Sequence, residues 1–191
     1  MADTNRPRIR IGHGWDLHRL EKITPGTGGS QRPLRPLVIG GVELAFPAGR
    51  ERGVAAHSDG DVLLHALTDA ILGALGEPDI GQLFPDNDQA NAARASADFV
   101  REAVLRMSRA GYTIGNVDAT VVLQEPRIGA RKDEIRVRVA GLLGVEAERV
   151  NVKGKSHERV DAVGEGRAVE AHVVVLLEEG IGASRHQGIE G

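Results

Sequence analysis

The chain has 191 residues, of which 41% are hydrophobic, 27% are charged and none is cysteine, and its formal net charge at pH 7 is −3. These values are typical of one globular domain, and they argue against a disordered chain or a general nucleic-acid binder. The lack of cysteine excludes disulfides and thiol catalysis, so a transition-metal site would have to use histidine and carboxylate ligands.

No apolar run approaches the length of a membrane span, and the first ten residues lack the apolar middle of a secretory signal. We therefore expect a cytoplasmic protein with neither a membrane nor a nucleic acid as partner. We expect one domain over residues 1–180, followed by a disordered tail at residues 181–191, which are polar and rich in glycine.

The first predicted strand leads to two candidate metal ligands. Residues 8–11 alternate charged and apolar side chains before Gly12, which is typical of a half-buried strand that stops there. On an extended segment, side chains two residues apart point to the same face. Asp16 and His18 could therefore share one bound ion.

The next two segments, residues 21–36 and 37–44, are marked by glycine and proline. Residues 21–36 combine a glycine cluster with prolines, which predicts a mobile loop. Residues 37–44 contain two short apolar runs around Gly40 and Gly41, which predicts a β-hairpin.

A helix is predicted after the polar entrance at residues 58–61. Its apolar residues repeat at spacings of three and four from Leu64 to Leu75, as in a helix that packs on a core. The entrance is typical of a helix start, which places His65 in the first or second turn. Asp61 and Asp69 share its face by the four-residue spacing and could orient the imidazole.

Asp16, His18 and His65 make a catalytic type of zinc set, with one carboxylate, two imidazoles and a fourth position open to substrate or water. The residues alone leave two other interpretations open. An Asp-x-His pair can lie at the end of a surface strand, and a histidine on an apolar helix can be hydrogen-bonded within the core.

The second half of the chain alternates helices and strands. Residues 79–88 hold three acids, a glycine and a proline, which predicts a solvated turn. Helices are predicted at residues 96–110 and 128–143, each followed by a glycine stop, and strands at residues 112–124, 150–155 and 168–178. With the hairpin and the consecutive final strands, this order predicts an α+β sheet with helices on one face.

Four blocks of sequence together resemble the 2-C-methyl-D-erythritol 2,4-cyclodiphosphate synthases, and the resemblance covers residues 8–178 in order. The blocks are Ile-Gly-His-Gly-Trp-Asp-Leu-His at residues 11–18, Ala-His-Ser-Asp-Gly-Asp at 56–61 with Leu-Leu-His-Ala-Leu-Thr-Asp-Ala at 63–70, Asp-Ile-Gly-Gln-Leu-Phe-Pro-Asp-Asn-Asp at 79–88, and Gly-Tyr-Thr-Ile-Gly-Asn-Val-Asp at 111–118.

The resemblance implies a homotrimer of ferredoxin-like α+β subunits with active sites at the subunit boundaries. It implies a reaction of the non-mevalonate isoprenoid route, in which 4-diphosphocytidyl-2-C-methyl-D-erythritol 2-phosphate is cyclised and CMP is released. The implied Zn²⁺ ligands are Asp16, His18 and His65, the set that the spacing also predicts. Glu158 is implied to hold a Mg²⁺ or Mn²⁺ that bridges the substrate diphosphate.

The resemblance also implies the residues that contact the substrate. His57 and Ser156 would donate hydrogen bonds to charge that develops in the reaction. Contacts to the phosphates would come from His57 and Ser58, contacts to the methylerythritol part from Asp79, Ile80, Gly81, Phe84, Pro85, Asp86, Asn87 and Asp88, and contacts to the cytidine from Leu123, Gln124, Glu125, Pro126, Arg127, Ile128 and Gly129. The other implied substrate contacts are Asp16, Leu17, His18, Lys155, Ser156, His157 and Glu158.

The chain departs from the family pattern in two places. Arg127 stands where a lysine is common, which preserves the charge but changes the donor geometry. The segment at residues 155–167 is shorter than in many members, and Ser156 stands there for a threonine hydroxyl.

Two other classes of function compete with the synthase. A zinc phosphatase or nuclease would use the same open metal site to activate water and would need no cytidine pocket. A non-enzymatic metal-binding protein would need a fourth, closing ligand, and none is evident. Among the other histidines, the sequence leaves His13 open between a structural and a functional role, and His157, His172 and His186 are expected at the surface rather than as ligands.

Overall fold

The computed structural model describes residues 7–23, 34–56, 58–85 and 94–180. Several predictions concern positions outside these ranges. They are the roles of His57, Asp86, Asn87, Asp88 and His186, residues 24–33 of the predicted loop, and the predicted tail at residues 181–191.

The described chain alternates strands and helices from end to end. The strands are β1 (Ile9–Lys22), β2 (Val38–Ile39), β3 (Val42–Glu43), β4 (Arg52–Ala55), β5 (Tyr112–Val122), β6 (Val150–Lys155) and β7 (Ala168–Glu179), and the helices are α1 (Val62–Leu75), α2 (Ile80–Leu83), α3 (Ser96–Arg109), α4 (Lys132–Leu143) and α5 (Asp161–Gly164). Short 3₁₀ turns at Gly129–Arg131 and Ala147–Arg149 precede α4 and β6.

Five of the strands form one sheet in the order β4-β1-β7-β5-β6. All neighbouring pairs are antiparallel except β5 and β6, which are parallel. β2 and β3 form the predicted hairpin as a separate two-stranded sheet. The predicted α+β class is confirmed, with a sheet that is mostly antiparallel.

One face of the sheet is covered by helices. Val173, Val175 and Leu177 of β7 are fully buried, whereas Val174 between them is 43% exposed, as expected where a sheet packs on one face only. Helix α1 lies closest to β1, because a Cβ added at Gly12 or Gly14 would lie within 2 Å of a carbonyl oxygen of that helix. These two glycines let the helix and strand backbones approach each other.

A buried carboxylate joins the hairpin to the start of α1. Asp61 is the N-cap of this helix and accepts hydrogen bonds from the N–H groups of Leu63 and Leu64. The same carboxylate accepts the N–H groups of Gly40 and Gly41, at 2.9 and 2.7 Å. Both glycines have positive φ, which allows the tight turn that points their N–H groups at Asp61.

Several predicted boundaries are wrong. β1 does not stop at Gly12 but continues to Lys22, because it pairs with β7 as far as Arg19 and then with β4. The predicted turn after residue 79 contains the short helix α2, whose N-cap is Asp79.

The other differences lie towards the end of the chain. The helix predicted from residue 128 begins at Lys132, after a 3₁₀ turn. β5 ends at Val122, two residues before the predicted end. The last two strands follow each other in sequence but are not neighbours, since β5 lies between them. Within the described ranges, no helix is long and apolar enough to cross a membrane.

Candidate functional site

Asp16 and His18 from the middle of β1 meet His65 from the first turns of α1. One ligand atom of each side chain lies within 4.8 Å of those of the other two, so the group could bind a metal ion. His65 Nδ1 lies 3.0 Å from Asp16 Oδ2, and His18 Nε2 lies 3.4 Å from the same oxygen. The side chains are 12% to 27% exposed, which leaves one side of the group open to solvent.

His18 presents an unshared electron pair to this group. Its Nδ1 lies 3.1 Å from the carbonyl oxygen of Leu17, and a carbonyl only accepts, so Nδ1 carries the proton. Nε2 is then a bare acceptor, and it is buried without a hydrogen-bond partner among the described residues. A bare nitrogen that faces a carboxylate oxygen suits a bound cation, which would interact favourably with both atoms.

The expected protonation states of two members also suit a metal. Burial raises the pKa of Asp16, but its close contact with the His65 imidazole and the charges of His18 and His65 outweigh burial and lower the pKa. Burial lowers the pKa of His18, although the Asp16 carboxylate opposes this shift. An ionised carboxylate and a neutral imidazole are the forms that bind metals.

The orientation of His65 comes from residues other than the predicted ones. The Asp61 carboxylate does not contact the imidazole, because it accepts hydrogen bonds from backbone N–H groups of α1 and of the hairpin. Asp69 accepts the N–H of Ile80 at 2.8 Å. His65 Nε2 instead contacts the hydroxyl oxygens of Ser58 and Ser96, at 3.1 and 2.9 Å. The prediction that Asp61 and Asp69 orient His65 is therefore wrong.

The segment predicted to contact methylerythritol lies beside this group. The bond from Ile80 to Asp69 ties α2 to α1. The ring of Phe84 packs on Phe99 with 4.7 Å between centroids, and Phe99 packs on His65 at 5.7 Å. The described part of this segment, residues 79–85, is thus held against α1 and α3, beside His65.

A second feature is a cavity of about 390 Å³ beside β5, β6 and the start of α4. Eight of its lining residues are predicted substrate contacts: Leu123, Gln124, Arg127, Ile128, Gly129, Lys155, Ser156 and Glu158. Glu125, Pro126 and His157 do not line it. The structure therefore brings most of the predicted cytidine segment together with residues 155–158.

Three lining residues were not predicted from the sequence: Val121, Gly154 and Lys132. The first two are partners across the parallel pair β5 and β6, a pairing that no local pattern reveals. Lys132 begins α4 and lies five residues after Arg127. A second cation so close to Arg127 in the sequence could have indicated that it lines the same site. With Arg127, Lys132 and Lys155 at its wall, the cavity suits an anionic ligand.

The other described histidines, His13, His157 and His172, lie apart from the metal group. His157 Nδ1 lies 2.8 Å from Asp161, and its Nε2 lies 3.3 Å from Glu170, so it is half-buried against β7 rather than free at the surface. His13 stacks on His172, with ring centroids 5.8 Å apart. Successive side chains of a strand alternate faces, so His13 lies on the face opposite Asp16 and His18.

The metal group and the cavity occupy different strands at the same end of the sheet. Leu17 of β1 and Val122 of β5 both pair with Glu170 of β7, which separates their backbones by roughly 10 Å, two strand spacings. Among the described residues, none that lines the cavity belongs to β1 or α1. One chain thus carries two separate features, the metal group and the cavity.

Comparison with known proteins identifies the family. A family model described as the YgbB family matches residues 9–178. The chain belongs to the YgbB family. YgbB relatives include the chloroplastic 2-C-methyl-D-erythritol 2,4-cyclodiphosphate synthase of Arabidopsis thaliana, which is 52% identical over 88% of this chain and 67% of its own length. The Rhodopirellula baltica synthase of the same name is 46% identical over 88% of this chain and 93% of its own length.

Solved YgbB structures share the fold. The CDP complex of IspF from Plasmodium falciparum superposes with a TM-score of 0.74 at 36% identity, and the match covers 90% of this chain and 97% of that one. A 2C-methyl-D-erythritol-2,4-cyclodiphosphate synthase superposes with a TM-score of 0.75 at 36% identity over 88% of this chain and all of that one. The family predicted from the four sequence blocks is confirmed.

Proposed function

We propose that this YgbB protein is a phosphorus-oxygen lyase that converts 4-diphosphocytidyl-2-C-methyl-D-erythritol 2-phosphate to 2-C-methyl-D-erythritol 2,4-cyclodiphosphate. It releases CMP, and the reaction belongs to the non-mevalonate route to isoprenoid precursors. The observation that carries the proposal is the open Asp16, His18 and His65 group, on a chain that aligns with synthases of this name over 88% of its length.

The same proposal names the cations. Two imidazole nitrogens and a carboxylate oxygen are ligands that Zn²⁺ accepts, so Asp16, His18 and His65 would hold Zn²⁺. Glu158, on the cavity wall, would hold a Mg²⁺ or Mn²⁺ through an oxygen ligand. When bound, these cations would supply Lewis acidity and neutralise negative charge on the diphosphate.

The main obstacle to this reaction is repulsion between two anions, and positively charged side chains of the protein would reduce it. An oxygen of the 2-phosphate attacks the phosphorus next to the methylerythritol, and the bond to the CMP phosphate breaks, so the electron pair leaves with CMP. Arg127, Lys132 and Lys155 on the cavity wall would lower the repulsion and hold the leaving nucleotide. The attacking phosphate is already ionised, so no general base is required.

Ser156 is the described candidate for hydrogen bonding to developing charge. Its hydroxyl donates to Glu158 at 3.1 Å, and a rotation about one bond would turn the same donor towards a ligand in the cavity. His57, the other predicted donor, stays a prediction.

We further propose a homotrimer of ferredoxin-like subunits with shared active sites. The sheet face opposite the helices exposes Ile9, Ile11, Trp15 and Val174 on the paired strands β1 and β7, an apolar stripe that His13 interrupts between Ile11 and Trp15. Such a stripe favours contact with another copy of the chain. In this trimer the metal group and the cavity would be two half-sites, and an active site would be completed by the metal group of one subunit and the cavity of its neighbour.

Incubation of the purified protein with the cytidine diphosphate substrate, zinc and magnesium tests the function. Phosphorus NMR should show CMP and a cyclic diphosphate. CMP with an open-chain phosphate would instead identify a zinc phosphohydrolase, the competing enzyme class. No turnover, with zinc bound, would leave a metal-binding protein without this activity.

Two broader expectations stay predictions. One is the single domain over residues 1–180. The other is the cytoplasmic location, since the names of the plant relatives place those enzymes in the chloroplast.

A further inference from the structure

Ser96 links the metal group to the carboxylate of Asp59, which is not one of the three candidate ligands. It is the first residue of α3 and is fully buried. Its Oγ lies 2.9 Å from His65 Nε2, and its backbone N–H donates to Asp59 Oδ2 at 2.9 Å. The Ser96 hydroxyl also donates to Asp59 Oδ1. Asp59, Ser96 and His65 therefore form a continuous hydrogen-bonded chain.

The direction of each bond in this chain follows from the carboxylate. A carboxylate only accepts, so the single proton of the Ser96 hydroxyl is committed to Asp59. Ser96 Oγ can then only accept from His65, which favours the tautomer of the neutral imidazole that carries its proton on Nε2. In that tautomer Nδ1, which lies 3.0 Å from Asp16 Oδ2, has an unshared pair, whereas in the other tautomer Nδ1 would donate its proton to Asp16.

Ser58 does not make this choice. Its Oγ also contacts His65 Nε2, at 3.1 Å, and accepts the N–H of Gly60 at 3.1 Å. No bond commits its hydroxyl proton to a carboxylate, so it can accept from Nε2 or donate to it by rotating. Ser96 is the contact that selects the tautomer.

We infer that Asp59 and Ser96 are positioning residues that hold His65 in the tautomer with Nδ1 free to bind a metal ion. Hydrogen bonds from a ligand histidine to an outer partner fix both the tautomer and the ring orientation. His18 obtains the same result from the Leu17 carbonyl, so both imidazoles turn a bare nitrogen to one Asp16 oxygen. The inference rests on the proposed metal function of Asp16, His18 and His65.

Two substitutions separate this role from a structural one. Ser96→Ala removes the acceptor for Nε2–H. Asp59→Asn keeps the shape but weakens the acceptor, because the N–H groups of Ser96 and Asp61 bond to different oxygens of Asp59 and the amide offers only one oxygen. The Ser96 hydroxyl is then no longer committed to a carboxylate and can donate to His65 Nε2, which favours the tautomer with Nδ1 blocked by a proton.

The measurement is the zinc dissociation constant of the purified protein by competition with a chelator, with the melting temperature of the metal-free protein as the check on folding. Each substitution should weaken zinc binding by about 10- to 100-fold, the usual effect of losing an outer partner of a ligand histidine. Thr68→Val is the matched control, since it removes a buried hydroxyl on α1 that bonds to Leu64 and not to His65. It should leave zinc affinity unchanged.

The double variant decides between tautomer control and simple charge. If Asp59 acts through Ser96, then Asp59→Asn adds little to the loss already caused by Ser96→Ala, and the two effects are not additive. Full additivity would mean that Asp59 acts on the ion by its charge alone and would overturn the inference. Wild-type zinc affinity in both single variants would also overturn it. If the wild-type protein binds no zinc, the proposed metal function itself fails.

Discussion

At the scale of single residues, hydrogen bonds to neighbouring groups determine which nitrogen of His18 and of His65 is available to a metal ion. The Leu17 carbonyl accepts a hydrogen bond from His18 Nδ1–H, and Ser96 Oγ accepts one from His65 Nε2–H. The other nitrogen of each imidazole therefore faces Asp16. The arrangement needs little rearrangement to bind an ion, which reduces the free-energy cost of binding.

Replacing His65 with alanine should abolish zinc binding and catalysis, because one of three protein ligands is lost. The free energy of unfolding should fall by only about 1–3 kcal/mol, the cost of losing the imidazole hydrogen bonds in a part-buried setting. Zinc content by metal analysis and product by phosphorus NMR measure the two effects. Asp69→Asn is the control, since it keeps an oxygen for the Ile80 N–H and should retain zinc. A His65→Ala protein with full zinc and activity would refute the ligand assignment.

Glu158 and Ser156 should fail in different ways. Glu158→Gln should raise the Mg²⁺ concentration needed for half-maximal rate and leave zinc content unchanged, because the amide keeps an oxygen but loses the charge. Glu165→Gln is the control, as Glu165 is an exposed partner of Arg167 away from the cavity wall. Mg²⁺ titrations of initial rate distinguish the two variants. Equal titration curves for the two variants would mean that the second cation does not bind at Glu158.

Ser156→Ala should instead lower the rate at saturating Mg²⁺ by about 100-fold or more, the usual loss when a donor to transition-state charge is removed. The Mg²⁺ dependence should not change, because the hydroxyl contributes little to binding the ion in the ground state. A rate like that of the wild type would leave Ser156 only its hydrogen bond to Glu158.

At the scale of elements, the metal group depends on the close approach of β1 and α1. A Cβ added at Gly14 would lie 1.9 Å from the carbonyl oxygen of Ala66, the residue next to His65. The neighbour is backbone, so the helix would have to move away from the strand. Such a shift would carry His65 away from Asp16 and His18.

Gly14→Ala should therefore lower the free energy of unfolding by about 1–3 kcal/mol or more, the cost of overpacking, and weaken zinc binding with it. Gly141→Ala is the matched control, because a Cβ there meets nothing within 4 Å in the last turn of α4. That change should stabilise the protein by up to about 1 kcal/mol, since alanine favours a helix more than glycine does. Chemical denaturation measures both, and a neutral Gly14→Ala would contradict the packing argument.

At the scale of the whole molecule, the separation of the two half-sites predicts complementation between subunits. Asp16→Ala and Arg127→Ala proteins should each be inactive, since one lacks a metal ligand and the other a cation of the cavity. Mixed one to one and allowed to exchange subunits, they should regain up to about a quarter of wild-type activity, the share of boundaries at which both halves are intact. Each protein exchanged with itself is the control. No recovery after verified exchange would place the whole site within one chain.

How far the sequence predicts this protein differs between its parts. The ligand set followed from residue types and periodicity, because a strand alternates faces every residue and a helix repeats about every four. The hairpin, α1, α3, β5, β6 and β7 were predicted near their observed bounds for the same reason. Those patterns are local, and the side chains that show them lie close together in the chain.

What the sequence could not supply depends on contacts between distant segments. β1 extends past Gly12 because β7, some 150 residues later, pairs along it, and β5 separates the two final strands. Ser96 and Asp59, 37 residues apart, meet only where α3 packs beside the start of α1. The sequence by itself determined which residues can bind a metal. Only the tertiary structure decided which nitrogen of each imidazole faces the ion, because that choice belongs to hydrogen bonds made across the fold.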